Sequence, residues 1–238
     1  YIKDGSDVVD PRFIVKLKDY WGNEESCDAT PRSSDGQLLF LMEMVNKMKS
    51  PEHNGIGGRI ASVHNGSSLF TGDAGGGESN IRRYIIENDL LNAIVQLPNN
   101  LFYNTGITTY IWLLSNNKPQ QRKGKVQLID ASLMFRKLRK NLGNKNCEFA
   151  PEHIMEIMQT YLAGQDVERQ LDTQNDPIGI ASKVFDNQDF GYYKVNIERP
   201  DRRSAKFSAE RLQGLRFDKS LSEPMEYMYS TYGDDIYS

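Results

Sequence analysis

The run Leu97-Pro-Asn-Asn-Leu-Phe102-Tyr103-Asn-Thr-Gly-Ile-Thr-Thr-Tyr-Ile-Trp112 sets two aromatic residues in a polar, glycine-containing loop between apolar segments. Such side chains break no bonds themselves; they offer flat faces. A Phe or Tyr face beside a pocket can stack on a planar ligand, or on a base drawn out of a nucleic-acid helix. The opposing reading is that Phe102 turns inward and plugs the core, and spacing does not separate the two. A second chemical signal lies downstream. Arg122, Lys123, Lys125, Arg136, Lys137, Arg139, Lys140 and Lys145 occupy one stretch opposed only by Asp130. That run is either a solvated helix face or a patch that contacts phosphates, and composition favours neither.

Other candidates carry less. Gly72-Asp-Ala-Gly-Gly-Gly77-Glu78-Ser79 has the spacing of a phosphate-binding loop, but Glu78 stands where that loop requires Lys. A carboxylate there repels the phosphates, so nucleotide hydrolysis is rejected in favour of a glycine turn at a helix start. His53, His64 and His153 are scattered, and His64 reads better as a structural imidazole than as a base. Cys27 and Cys147 are far apart without clustered histidines, which indicates neither a disulfide framework nor a metal site. A net charge of −3 excludes a wholesale polycation, so any nucleic-acid contact must use a local patch. No apolar run approaches a membrane span and no targeting pattern opens the chain; a reduced cytoplasm is the expected location.

These residues need a scaffold. Residues 1–35 are polar and punctuated by Gly and Pro, and read as an irregular lead-in. The spacing then predicts a helix capped by Ser34 or Asp35, with Leu38, Leu41, Met42 and Val45 on one face. A strand over Arg59–His64 opens into the loop Asn65–Ser68, at a strand end of the kind that borders ligand pockets in α/β sheets. A second helix carries Ile81, Ile85 and Ile86. Strands follow at Leu91–Leu97, Thr108–Leu114 and Lys125–Asp130, rich in β-branched and aromatic residues. The first two of these should pair antiparallel, whereas the strand–helix–strand stretch before them suggests a parallel crossover. A helix at Pro151–Leu162 presents Ile154, Ile157, Met158 and Tyr161 on one face. Residues 36–163 thus form the α/β body, 164–189 read as a linker or mobile loop, and 190–238 as a C-terminal extension with a strand-like run at Phe190–Pro200 and a short helix near Tyr227.

With the elements placed, several blocks resemble one family. Arg32-Ser-Ser-Asp-Gly-Gln37, Gly58-Arg-Ile-Ala-Ser-Val-His-Asn-Gly-Ser-Ser-Leu-Phe70, Leu97–Trp112, Arg122–Ala131 and Phe190–Pro200 are similar, in order, to the modification subunit of type I restriction–modification systems. The resemblance implies an adenine-N6 DNA methyltransferase using S-adenosylmethionine and a Rossmann-like sheet. Of that sheet this chain would supply the second half, with an antiparallel edge and a C-terminal extension. It implies double-stranded DNA, a specificity subunit and a restriction subunit as partners, with no membrane. The loop bearing Phe102, with Tyr103 as competitor, would supply the aromatic that stacks on a flipped adenine. Lys123, Lys125, Arg136, Lys137, Arg139 and Lys140 would contact DNA phosphates. The family's glycine-rich cofactor motif and its Asn-Pro-Pro-Tyr/Phe motif do not occur in these 238 residues. Catalytic and cofactor-binding residues are therefore expected outside this stretch, which would by itself neither hold the donor nor transfer methyl. Gly58–Phe70 would be the fifth strand and its loop; with the fourth strand absent, Ile60–His64 should present an unpaired edge. The alternative is a non-catalytic DNA- or subunit-binding module of the same complex.

Overall fold

The computed structural model describes residues 10–19, 21–34, 36–168 and 179–192, together with Val195, Ile197, Tyr227, Ser230 and Thr231. The chain divides into a unit over Tyr1–Lys194 and another over Val195–Ser238. In the second, Tyr227, Ser230 and Thr231 are helical, and the Ser230 hydroxyl donates to the Tyr227 carbonyl at 3.0 Å. The expected strand-like run at 190–200 lies mostly outside the described residues.

The first unit opens with strands β1 (Ile14–Lys18) and β2 (Glu24–Asp28), then α1 (Gln37–Asn46) and the single turn α2 (Pro51–Asn54). Strand β3 (Arg59–Asn65), the short α3 (Ser67–Phe70), α4 (Gly77–Glu87) and β4 (Leu91–Gln96) follow. The remainder is β5 (Thr109–Ser115), β6 (Lys125–Asp130), β7 (Arg136–Leu142), β8 (Lys145–Glu148), α5 (Pro151–Ala163) and β9 (Ala181–Asp186). Five strands form one mixed sheet in the order β3-β5-β4-β6-β9.

The loop 97–108 returns β5 antiparallel at the side of β4, in the space left by the β3–α4–β4 crossover. Thus β3 and β4 run the same way but are separated by the reversed β5. The neighbouring parallel pair is instead β4 with β6. Both edges are antiparallel, β3 on β5 and β9 on β6, so the expected antiparallel edge exists with different members. Strand β3 is an edge strand, as the resemblance implied, and its Val63 is exposed. The passage from β5 to β6 beneath β4 is stapled by Lys118, whose Nζ donates to Asp89 Oδ1 at 2.6 Å and to the Lys125 carbonyl at 2.9 Å. Burial pushes the Lys118 pKa down against the upward pull of Asp89.

Period-2 alternation feeds a core on each sheet face. One contains Trp112, Leu114 and Val126 beneath Leu38, Leu41, Ile81 and Ile85 of α1 and α4; the other contains Val95, Ile129 and Met134, packed against Ile157 and Tyr161.

Four expectations need correction. The lead-in is not irregular throughout: β1 and β2 pair in a hairpin whose Val15 and Leu17 are buried in the first core. Helix α1 has Gly36 rather than Ser34 or Asp35 at its cap position and so no side-chain cap; its first residue, Gln37, reaches Asn65, donating Nε2 to Oδ1 at 2.9 Å and accepting its N–H at 2.7 Å. Residues 181–186 of the supposed linker are β9; its Ser182 faces the buried Gln127, so a stretch read as linker for its many polar residues contains an ordered edge strand. Helix α5 is rotated from the face its apolar spacing suggests. Gln127 Nε2 donates to the Thr160 carbonyl at 2.9 Å, Arg122 donates to the Tyr161 carbonyl, and His153 Nδ1 accepts the Ala150 N–H. These polar anchors set the rotation, leaving Ile154 and Met158 exposed.

Candidate nucleic-acid interface

The carboxyl ends of β3, β4 and β6 lie at one end of the sheet, where open α/β sheets gather ligands. Register sets Asn65 beside Thr109, and Gln96 between Tyr110 and Asp130. The turn into α3 and the loops 97–108 and 131–135 all leave from this end. His64, just below it, is 2% exposed and packs its ring 5.2 Å from that of Trp112, a position inside the core rather than in a cleft.

The aromatic loop is tightly built. Asn100 takes φ 57°, turning the chain, and Phe102 bridges to Thr105 across the tip. Thr108 Oγ1 donates to Asn99 Oδ1 at 2.6 Å, closing the base of the loop. Phe102 is 37% and Tyr103 61% exposed, so neither ring is the buried plug of the inward reading.

The basic stretch is not a helix. Arg136–Leu142 and Lys145–Glu148 form the β7–β8 hairpin, most of it exposed, which lies against the aromatic loop. The eight basic residues accordingly part company. Arg122 is structural: it packs 4.4 Å from the Tyr161 ring centroid and donates to Gln127 Oε1 at 3.1 Å. Lys123 and Lys125 sit at the start of β6, roughly 17 Å from its carboxyl end at about 3.3 Å per residue. Arg136 is paired with Glu148 at 2.8 Å. Lys137, Arg139 and Lys140 remain exposed on the hairpin.

Between loop and hairpin lies a polar cleft of about 550 Å³, whose walls include Gln96, Asn99, Asn100, Lys137, Asn141 and Asn146. Its amides carry donors and acceptors together, and one ammonium group accompanies them. Sequence reading missed this amide set; the only hint was the Asn99-Asn100 pair, since Asn141 and Asn146 reach it through folding of the hairpin. A larger hollow of about 840 Å³ lies on the sheet face, walled mostly by apolar groups such as Ile94, Trp112, Leu128 and Phe185.

The glycine turn before α4 does not fit a cofactor. A Cβ at Gly77 would meet the Thr30 carbonyl oxygen at 1.8 Å, so this backbone is already packed against protein. Glu78 is buried and accepts the Arg32 N–H at 3.2 Å, fastening the preceding segment to the helix. Both thiols are unbridged, and burial pushes the pKa of Cys27 and Cys147 up. Among the described residues no helix is long and apolar enough to cross a membrane.

The type I restriction enzyme MjaVII methylase subunit of Methanocaldococcus jannaschii is 37% identical over 110 residues, covering 46% of this chain and 18% of that protein. The MjaIX methylase subunit of the same organism is 32% identical over 152 residues, 64% of this chain and 24% of the relative. The chain therefore spans about a quarter or less of the length of these relatives. The crystal structure of the type I restriction-modification system methyltransferase subunit from Streptococcus thermophilus superposes with a TM-score of 0.52 at 25% identity, over 67% of this chain and 28% of that one. The N-6 DNA Methylase family matches residues 10–185, most of the sheet and both site elements, and the chain belongs to that family.

Proposed function

We propose that this chain is part of a type I restriction–modification methylase subunit that methylates adenine N6 in double-stranded DNA, and that the described site meets the DNA. The observation that carries this is the pair of outward rings, Phe102 and Tyr103, at the carboxyl end of β4 beside a polar cleft and a basic hairpin. A base inside a duplex hides its amino group, so it must leave the stack, and an aromatic platform offsets part of that cost. Phe102 is the proposed platform. Lys137, Arg139 and Lys140 hold the backbone by charge, and the cleft amides face the displaced strand. S-adenosylmethionine is the donor the family implies. On this reading its site, and the proton and methyl chemistry, are assigned to the parts of such a subunit that carry the family's glycine-rich and Asn-Pro-Pro-Tyr/Phe motifs, which do not occur in these 238 residues. A specificity subunit and a restriction subunit are the proposed partners.

The test is methyl transfer by the complete gene product, with its proposed partner subunits, to duplex DNA from its own genome, with product nucleosides separated. N6-methyladenine supports the reading. DNA binding without any methyl transfer would favour a non-catalytic module.

A further inference from the structure

Beyond its internal contacts, the aromatic loop is held from outside by the β7–β8 hairpin. The Asn144 N–H donates to the Tyr103 carbonyl at 3.0 Å, and the Asn146 N–H donates to the Asn100 carbonyl at 3.1 Å. Asn100 Nδ2 returns a hydrogen bond to the Asn144 carbonyl at 3.0 Å. Lys145 Nζ donates to the Leu101 carbonyl at 2.9 Å and stands 5.7 Å from the centroid of the Tyr103 ring, within cation–π range. The Cys147 thiol donates to the Asn99 carbonyl at 3.2 Å. At the turn, Gly143 has φ +66° and approaches so closely that a Cβ would meet the Tyr103 carbonyl oxygen at 2.7 Å, which excludes a side chain there.

The same hairpin carries the cations. Lys137 lines the cleft on β7 and lies directly across the ladder from Cys147, whose thiol holds the loop at Asn99. A load on β7 thus passes through one strand pair to the loop that bears Phe102.

We infer that the β7–β8 hairpin is a positioning device, through which contact with the DNA backbone sets the aromatic loop, and that Lys145 is its principal positioning residue. This rests on the proposed DNA function of the same site. Backbone contact at Lys137, Arg139 and Lys140 orders the hairpin, and the turn then fixes Leu101–Tyr103 through main-chain contacts. Lys145 touches neither base nor phosphate; it acts through the Leu101 carbonyl and the Tyr103 ring. An ammonium-to-carbonyl hydrogen bond is stronger than a neutral one, which makes Lys145 the contact whose loss loosens the loop most.

Hydrogen exchange of the amides in 100–106, read in the complete gene product with and without duplex DNA, tests this independently of methylation. Lys145→Met keeps the aliphatic stem and removes the donor, while Gly143→Ala pushes on the loop from another position. In the unaltered protein, duplex DNA should slow exchange in the loop about tenfold, the size of one charge-assisted hydrogen bond. Lys145→Met should lose that slowing with DNA affinity unchanged within about twofold, and its kcat should fall about tenfold at constant KM for DNA. Lys145→Arg, which restores a donor, should recover most of both. The inference is overturned if DNA leaves loop exchange untouched in the unaltered protein, or if both variants respond to DNA as the unaltered protein does. Failure of the unaltered protein to transfer methyl would instead count against the functional reading, and the exchange comparison still decides the role of the hairpin.

Discussion

Replacing Phe102 by Ala separates a stacking platform from a core plug, because the structure assigns the two roles different costs. A fully buried Phe loses about 3–5 kcal/mol on truncation to Ala. Phe102 is 37% exposed and belongs to neither core cluster, so the expected stability loss is about 1 kcal/mol. For a unit of this size that lowers Tm by about 2–4 °C. Stacking on an extruded base is worth about 1–3 kcal/mol, so kcat/KM for duplex methylation should fall about 5- to 150-fold. The assay is transfer of labelled methyl to a duplex by the complete gene product. Cofactor affinity is measured alongside by calorimetry and should hold within about twofold. A mismatched target adenine, already poorly paired, should restore part of the lost rate, since extrusion then costs less. Tyr103→Ala should cost less, because its ring lies toward Lys145. A fall in Tm of 10 °C or more with equal loss on paired and mismatched targets would refute the stacking role.

Three further outcomes follow from the same geometry. Changing Lys137, Arg139 and Lys140 together to Ala should flatten the salt dependence of DNA binding by about 2–3 in log–log slope, whereas Lys123→Ala with Lys125→Ala should leave it unchanged; equal effects would erase the distinction drawn from strand position. Lys118→Met should lower the stability of the sheet by about 2–3 kcal/mol, since it strips Asp89 of its ammonium partner while Gly124 and Asn187 still donate to that carboxylate; a Tm shift below 2 °C would show the staple to be idle. The 238-residue chain by itself should self-associate through the open side of β3, and a monodisperse, cooperatively unfolding monomer in sedimentation would count against this.

The elements legible from residue types alone are those whose local preference and burial agree. β-Branched and aromatic runs marked β4, β5 and β6 to within a residue or two, and the apolar stripes of α1 and α4 marked the helices that cover one face. Residue types alone also pointed to Leu97–Trp112, because a loop that spends two aromatics among Asn and Gly is chemically unusual. Tertiary structure decided everything that depends on a distant partner. The hairpin of β7 and β8 is mostly polar, and β9 is six residues of mixed character that follow a polar stretch, so hydrophobic alternation does not announce them; ladder pairing holds them instead. The rotation of α5 was set by carbonyls reaching Gln127 and Arg122, a requirement no apolar period encodes. The basic stretch, continuous in the chain, was divided by the length of β6 into two ends of the sheet. Most of all, the hold of Lys145 on Leu101 joins residues 44 positions apart. A main-chain carbonyl accepts from whichever ammonium the fold delivers, and its availability leaves no trace in the identity of the residue that carries it.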